Sequence, residues 1–85
     1  MENPEFCNDP VQVTGTIDDQ GQVNLQSLTW RGQWYSIVAL GRQWSEEDGR
    51  HVMAEAADGT RFELQLSRLE LIWYVRRVWG GWLVA

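Results

Sequence analysis

The segments 50–56 and 60–66 both alternate between apolar and polar residues, as strands with one buried face do. A two-residue Asp58-Gly59 turn between them would put their apolar faces on opposite sides of a hairpin. A three-residue loop that also includes Ala57 brings the apolar faces to the same side, and it ends in the glycine that a type I turn with a G1 bulge requires. The predicted register pairs Ala56 with Thr60, Ala54 with Phe62, Val52 with Leu64 and Glu55 with Arg61.

Other parts of the chain extend this antiparallel pattern. Residues 11–17 form a predicted strand, and Arg31-Gly32 forms the turn of a second, tight hairpin. The strands predicted over 34–40 and 71–79 are apolar on both faces, which an open sheet with one wet face does not accommodate. We therefore predict an all-β fold, a small antiparallel barrel or strongly curled sheet of five or six strands. An SH3-like barrel is the expected type, with an OB-like barrel as the alternative.

The length of 85 residues fits a single domain, and 44% hydrophobic residues are too many for a disordered chain. Residues 1–10 contain two Xaa-Pro pairs and little apolar content, so we expect a flexible lead-in there and a single β domain over 11–85. A membrane span of about 18 apolar residues is not encoded. The first residues also lack the basic start and apolar stretch of a signal peptide, so the expected location is the cytoplasm.

The chain has one cysteine and one histidine, which excludes an internal disulfide and a multi-histidine metal site. Cys7 falls in the predicted lead-in, and His51 is predicted at the surface, opposite Gln65, so the two do not form a nucleophile–base pair. The acidic run 46–48, in a predicted polar loop over 42–49, lacks the spacing of a cation-binding loop. We therefore predict no catalytic residue, no metal and no small-molecule cofactor.

With catalytic and metal-binding groups excluded, the aromatic and arginine side chains are the remaining candidates for a functional site. The chain has six tryptophans, and all seven of its basic residues are arginines. This composition indicates a protein-interaction module whose partner is another protein or a second copy of the chain. Binding of single-stranded DNA is one alternative, and binding of proline-rich peptides is another. The predicted binding residues are Trp30, Arg31, Arg42, Trp44, Arg76, Arg77 and Trp79.

The net charge of −5 argues against a basic nucleic-acid footprint over the whole chain. The first 20 residues contain five acidic residues and no basic one, so this segment accounts for the whole net charge and the remainder is neutral.

Four segments, 28–35, 40–44, 58–64 and 73–79, resemble a family of small bacterial proteins of unknown function. The shared features are a Trp-Arg-Gly start, a Trp-bearing loop, a Phe/Tyr-Glu-Leu strand and a last strand with Trp and Arg. Some members of that family are associated with translesion DNA polymerases, so the resemblance implies a link to DNA repair. It implies no catalytic residue.

Overall fold

The computed structural model describes residues 3–80, which form one seven-stranded antiparallel sheet curled into a half-barrel. The all-β prediction is confirmed, although the strands number seven where five or six were expected. The strands are β1 (Glu5–Pro10), β2 (Gln12–Ile17), β3 (Val23–Trp30), β4 (Gln33–Glu46), β5 (Gly49–Ala56), β6 (Arg61–Ser67) and β7 (Trp73–Trp79). Along the sheet their order is β1-β7-β6-β5-β4-β3-β2. The described residues include no helix that could span a membrane.

The β5–β6 hairpin has the predicted three-residue loop. The backbone N–H of Ala56 donates to the carbonyl of Thr60 over 2.8 Å, and Gly59 adopts a φ of +92° at the end of the loop. Such a φ is readily available only to glycine. The observed register pairs Ala54 with Phe62, Val52 with Leu64, Glu55 with Arg61 and His51 with Gln65, as predicted.

Register shifts explain the strands that are apolar on both faces. β4 has shifts between Ile37 and Ala39 and between Leu40 and Gln43, so its inward positions are not all two residues apart. β7 has one shift, at Arg76, and as a result Val75 and Val78 are both buried although they are three residues apart. Each bulge changes which residues of the strand face the core, so the inward set follows neither the odd nor the even positions throughout.

Residues 5–10, expected to form part of a flexible lead-in, form the edge strand β1. In its pairing with β7, Glu5 lies opposite Val78 at one end and Pro10 lies opposite Tyr74 at the other. The strand is held because Cys7 packs against the core, and a proline is tolerated at the end of an edge strand. Residues 1–2 of the predicted lead-in and 81–85 of the predicted domain lie outside the described part of the chain.

The core fills the concave side of the curled sheet and centres on Phe62, whose exposed fraction is 0%. The ring of Phe62 makes edge-to-face contacts with Tyr35 and Trp30, at centroid distances of 5.1 and 5.8 Å. Gln43 ties β4 to β3, because its side-chain amide both donates to and accepts from the backbone of Val23 over 3.0 Å. This contact closes the half-barrel where the ladder between β3 and β4 has ended.

Candidate functional site

The convex face of β4 and β5 brings an indole and an imidazole together. Trp44 lies directly opposite His51 in the ladder, and the two rings stack at a centroid distance of 5.2 Å and an interplanar angle of 16°. The prediction of a polar loop over 42–49 was wrong at this point, since β4 runs to Glu46 and only a two-residue turn, Glu47-Asp48, precedes β5. Trp44 is therefore a half-buried strand residue.

His51 is 3% exposed, so the prediction that it lies at the surface was wrong. Stacked Trp44 covers the ring, and a carboxylate lies at each of its nitrogens: Glu63 Oε2 is 2.9 Å from Nδ1, and Asp48 Oδ1 is 2.8 Å from Nε2. The hydrogen bond to His51 lowers the pKa of Asp48, and the charge of Arg76 acts in the same direction. An acid–imidazole–acid group, in which His51 and Glu63 are buried and Asp48 is exposed, thus occupies the middle of the convex face.

Two consecutive arginines reach the same group from β7. The bulge at Arg76 places both side chains on the convex face, where Arg77 Nε pairs with the buried carboxylate of Glu63. Arg76 Nη1 donates to Gln65 Oε1 over 2.8 Å and lies 3.3 Å from Asp48 Oδ2. An open cavity of about 360 Å³ lies beside these groups and is bordered on the β1 side by Phe6 and Cys7.

The same face has three further aromatic–guanidinium contacts. The guanidinium of Arg42 lies 4.9 Å from the Trp44 ring centroid. Trp79 is contacted by two guanidinium groups, Arg77 at 5.0 Å and Arg61 at 5.9 Å. The structure therefore brings five of the predicted binding residues to one surface, namely Arg42, Trp44, Arg76, Arg77 and Trp79.

The other two predicted binding residues, Trp30 and Arg31, lie apart from that surface. Trp30 is buried in the core, and its Nε1 donates to Asp9 Oδ2 over 2.9 Å. The guanidinium of Arg31 stacks on the Trp30 ring at 4.4 Å and pairs with Asp9 at 2.9 Å and Glu5 at 2.8 Å. These contacts fasten β1 to the β3–β4 turn, so the geometry of Trp30 and Arg31 is that of a structural clamp.

The clamp predicts a pH-dependent stability difference between the wild type and Asp9→Asn. The hydrogen bond from Trp30, reinforced by Arg31, lowers the pKa of Asp9 below its ordinary value of 3.8. Because the pKa is lower in the folded state, the stabilisation is fully present above pH 3.8 and is lost as pH falls through the folded value. We expect a loss of up to about 1 kcal/mol at neutral pH, since the carboxylate is partly exposed. Urea denaturation at neutral and acidic pH measures the difference.

Asp19→Asn, in the exposed turn between β2 and β3, is the control and should leave stability nearly unchanged at both pH values. A loss for Asp9→Asn that stays the same at low pH would contradict the ionic origin of the clamp.

Sequence reasoning missed a second surface, which has no charged residue. In the ladder Gln12 lies opposite Thr29 and Thr29 opposite Trp34, so the three side chains form a row across β2, β3 and β4. Trp34 is 64% exposed, and it is the most exposed of the five tryptophans within residues 3–80. The uncharged face, as we call it, consists of Gln12, Thr14, Ser27, Thr29, Trp34 and Ser36.

A sequence signal for this face exists. Strands β2 and β3 contain none of the chain's 12 acidic and 7 basic residues. The uncharged run from 20 to 30 is visible in the sequence, but which of its polar residues share a face depends on the ladder register.

Searches of protein-family models, curated proteins and solved structures found no match to this chain. The resemblance to small bacterial proteins of unknown function therefore stays a prediction, and the candidate functions rest on the geometry of the two surfaces.

Proposed function

We propose that this chain is a non-catalytic protein-interaction module that pairs with a second copy of itself through the uncharged face and the neighbouring edge of β2. One observation carries the proposal: an exposed tryptophan lies on a sheet surface without charge, at the end of the sheet where the last strand has no further neighbour among the described residues. Tryptophan is enriched among the residues that dominate binding energy at protein interfaces.

The edge itself supports pairing with another strand. β2 has the sequence Gln-Val-Thr-Gly-Thr-Ile, with no proline and no charged residue among its six positions. Natural edge strands are commonly protected by lysine, proline or a covering element. An edge without proline or charge favours addition of a strand, and antiparallel pairing of β2 with its own copy gives a closed two-fold dimer.

The arginines give less support to single-stranded DNA as the ligand. Arg31 is paired with Glu5 and Asp9, and Arg77 is paired with Glu63. A guanidinium that already neutralises a carboxylate has to break that contact before it neutralises a phosphate. Nucleic-acid binding therefore remains the alternative, through the Trp79 surface with its two stacked arginines.

For the finer fold type we propose an SH3-like barrel in which β4 is shared between the two halves, because it pairs with β3 over residues 33–36 and with β5 over residues 37–46. A groove for proline-rich peptides would need exposed aromatic rings. Trp30 and Tyr35 border a cavity of about 310 Å³, but they are only 5% and 8% exposed. This peptide function therefore has less support than self-association.

Trp34→Ala is expected to weaken self-association by about tenfold or more, because it removes the largest exposed side chain of the proposed interface. Sedimentation velocity from about 5 to about 200 µM follows the monomer–dimer equilibrium. Leu69→Ala is the matched control: Leu69 is 93% exposed, lies in the β6–β7 connection and should leave association unchanged.

A wild-type chain that stays monomeric over this range, or equal effects of the two variants, would rule out the second copy as the partner. Quenching of tryptophan fluorescence by oligo-dT at about 20 mM salt that disappears at about 200 mM would instead favour the nucleic-acid alternative.

A further inference from the structure

We propose that Glu46, Asp48 and His51 form a binding site for a divalent transition metal of the zinc class. The three residues come from the end of β4, the two-residue turn and the start of β5, with the spacing Glu-x-Asp-x-x-His. Their ligand atoms all lie within 4.8 Å of one another. This site is independent of the uncharged face and of the proposed function.

The distances fit a small metal ion. From His51 Nε2, the nearest carboxylate oxygens are Asp48 Oδ1 at 2.8 Å and Glu46 Oε2 at 3.8 Å. Ligand atoms around a tetrahedral zinc with bonds of about 2.1 Å are separated by about 3.4 Å. The two carboxylates are 44% and 53% exposed, so they can rotate to bring the separations of the ligand atoms, which are at most 4.8 Å, towards this value.

The imidazole is more than nine-tenths buried and points one nitrogen into the site. Asp48 Oδ1 lies 2.8 Å from Nε2, so this nitrogen directs either an N–H or a lone pair at that oxygen, while Glu63 lies at Nδ1. A metal ion that binds the lone pair of Nε2 takes the place of a proton there. The buried imidazole, oriented from its other nitrogen, distinguishes this site from an exposed acidic cluster.

Each of the three metal-binding side chains is held by a partner outside the set. Glu63 holds His51, the indole Nε1 of Trp44 donates to Glu46, and Arg76 contacts Asp48. A carboxylate on the far nitrogen of a metal-bound histidine fixes the ring and strengthens it as a ligand. The outer partners of a metal site are therefore already in place.

The backbone of the turn is held as well. The carbonyl of Asp48 accepts hydrogen bonds from the backbone N–H of Arg68 over 3.0 Å and from Gln65 Nε2 over 2.8 Å. These two hydrogen bonds fix the backbone from which the Asp48 side chain projects into the site.

Charge and ligand type favour the zinc class over calcium or magnesium. The carboxylates of Glu46, Asp48 and Glu63 exceed the two guanidinium groups of Arg76 and Arg77 by one negative charge. Calcium and magnesium prefer oxygen ligands alone, whereas imidazole suits zinc and its neighbours in the periodic table. The adjoining cavity of about 360 Å³ leaves a coordination position open to water.

Isothermal titration of the full chain with Zn²⁺ tests the proposal. We expect one zinc ion per chain, and a loss of affinity of about tenfold or more for Asp48→Asn and for Glu46→Gln. Glu47→Gln removes a carboxylate from the same turn without touching the site and should change affinity by less than about twofold. Circular dichroism of each variant checks the fold, and Co²⁺ in place of Zn²⁺ reports nitrogen ligation through its visible spectrum.

His51→Gln should abolish binding, but because His51 is buried, the decisive variants are those at the two exposed carboxylates. The proposal is overturned if Zn²⁺ does not bind, if Asp48→Asn and Glu47→Gln behave alike, or if an equal concentration of Ca²⁺ displaces the bound Zn²⁺.

Discussion

Phe62→Ala is expected to destabilise the folded chain by about 3 to 5 kcal/mol, the cost of removing a fully buried aromatic ring. The ring is in edge-to-face contact with both Trp30 and Tyr35, so its loss removes a contact from each of these two large rings. A domain of this size is stable by only about 5 to 10 kcal/mol, so the variant should lose roughly half of its stability. Urea denaturation followed by tryptophan fluorescence measures the change.

Phe6→Ala makes the same chemical change at a side chain that is 74% exposed, and it should cost less than about 1 kcal/mol. Phe62→Leu keeps most of the volume and should fall between the two. If Phe62→Ala cost no more than Phe6→Ala, the core would not centre on the Phe62, Trp30 and Tyr35 cluster.

The β5–β6 hairpin shows which part of a fold can be predicted from sequence. The two strands alternate cleanly, and only one loop length puts both apolar faces on the same side. The glycine at the required position agrees with that loop length. Local pattern and turn chemistry therefore point to one register, which the structure confirms.

Strands β4 and β7 show why the remainder could not be predicted. Their sequences are apolar at both odd and even positions, so alternation does not reveal where a bulge changes the inward face. Without the bulge at Arg76, Arg77 would share a face with Val75 and point into the core. The strand β1 was missed for a related reason: its partner, β7, lies at the other end of the chain.

The candidate sites, like the fold, have a part that can be predicted from sequence and a part that cannot. The set of tryptophans and arginines is visible in the sequence. The group around His51 on the convex face, however, depends on pairs such as His51–Glu63 and Glu63–Arg77, which are 12 and 14 residues apart. The burial of His51 depends on the ring of Trp44 and on the Asp48 turn. A sequence contains the residue types of such a site, and the ladder register decides which of them meet.

Gly49→Ala is expected to destabilise the chain by about 3 to 5 kcal/mol, because backbone strain and a steric clash occur at the same residue. Gly49 has a φ of +141°, and a Cβ there would lie 2.0 Å from the carbonyl oxygen of Leu66. That oxygen belongs to the backbone of β6, so it cannot be relieved by a change of rotamer. Thermal or urea unfolding of the variant measures the loss.

Gly59→Ala separates the two causes. Its φ of +92° is also in the region that favours glycine, but a Cβ there would have nothing within 4 Å. We expect a loss of about 1 to 2 kcal/mol from backbone strain alone, so the difference between the variants reports the clash. Equal losses would mean that β6 moves aside freely at Leu66.

The position of Gly49 also connects stability to the proposed metal site. Gly49 directly follows Asp48, whose backbone carbonyl accepts a hydrogen bond from the backbone N–H of Arg68. A Cβ at residue 49 that pushes β5 away from β6 therefore also displaces the turn that holds the Asp48 carboxylate. Gly49→Ala should therefore weaken Zn²⁺ binding under conditions where the variant is still folded, whereas Gly59→Ala, at the opposite end of the hairpin, should not. Undiminished binding in folded Gly49→Ala would show that the carboxylate of Asp48 finds the metal without a fixed turn.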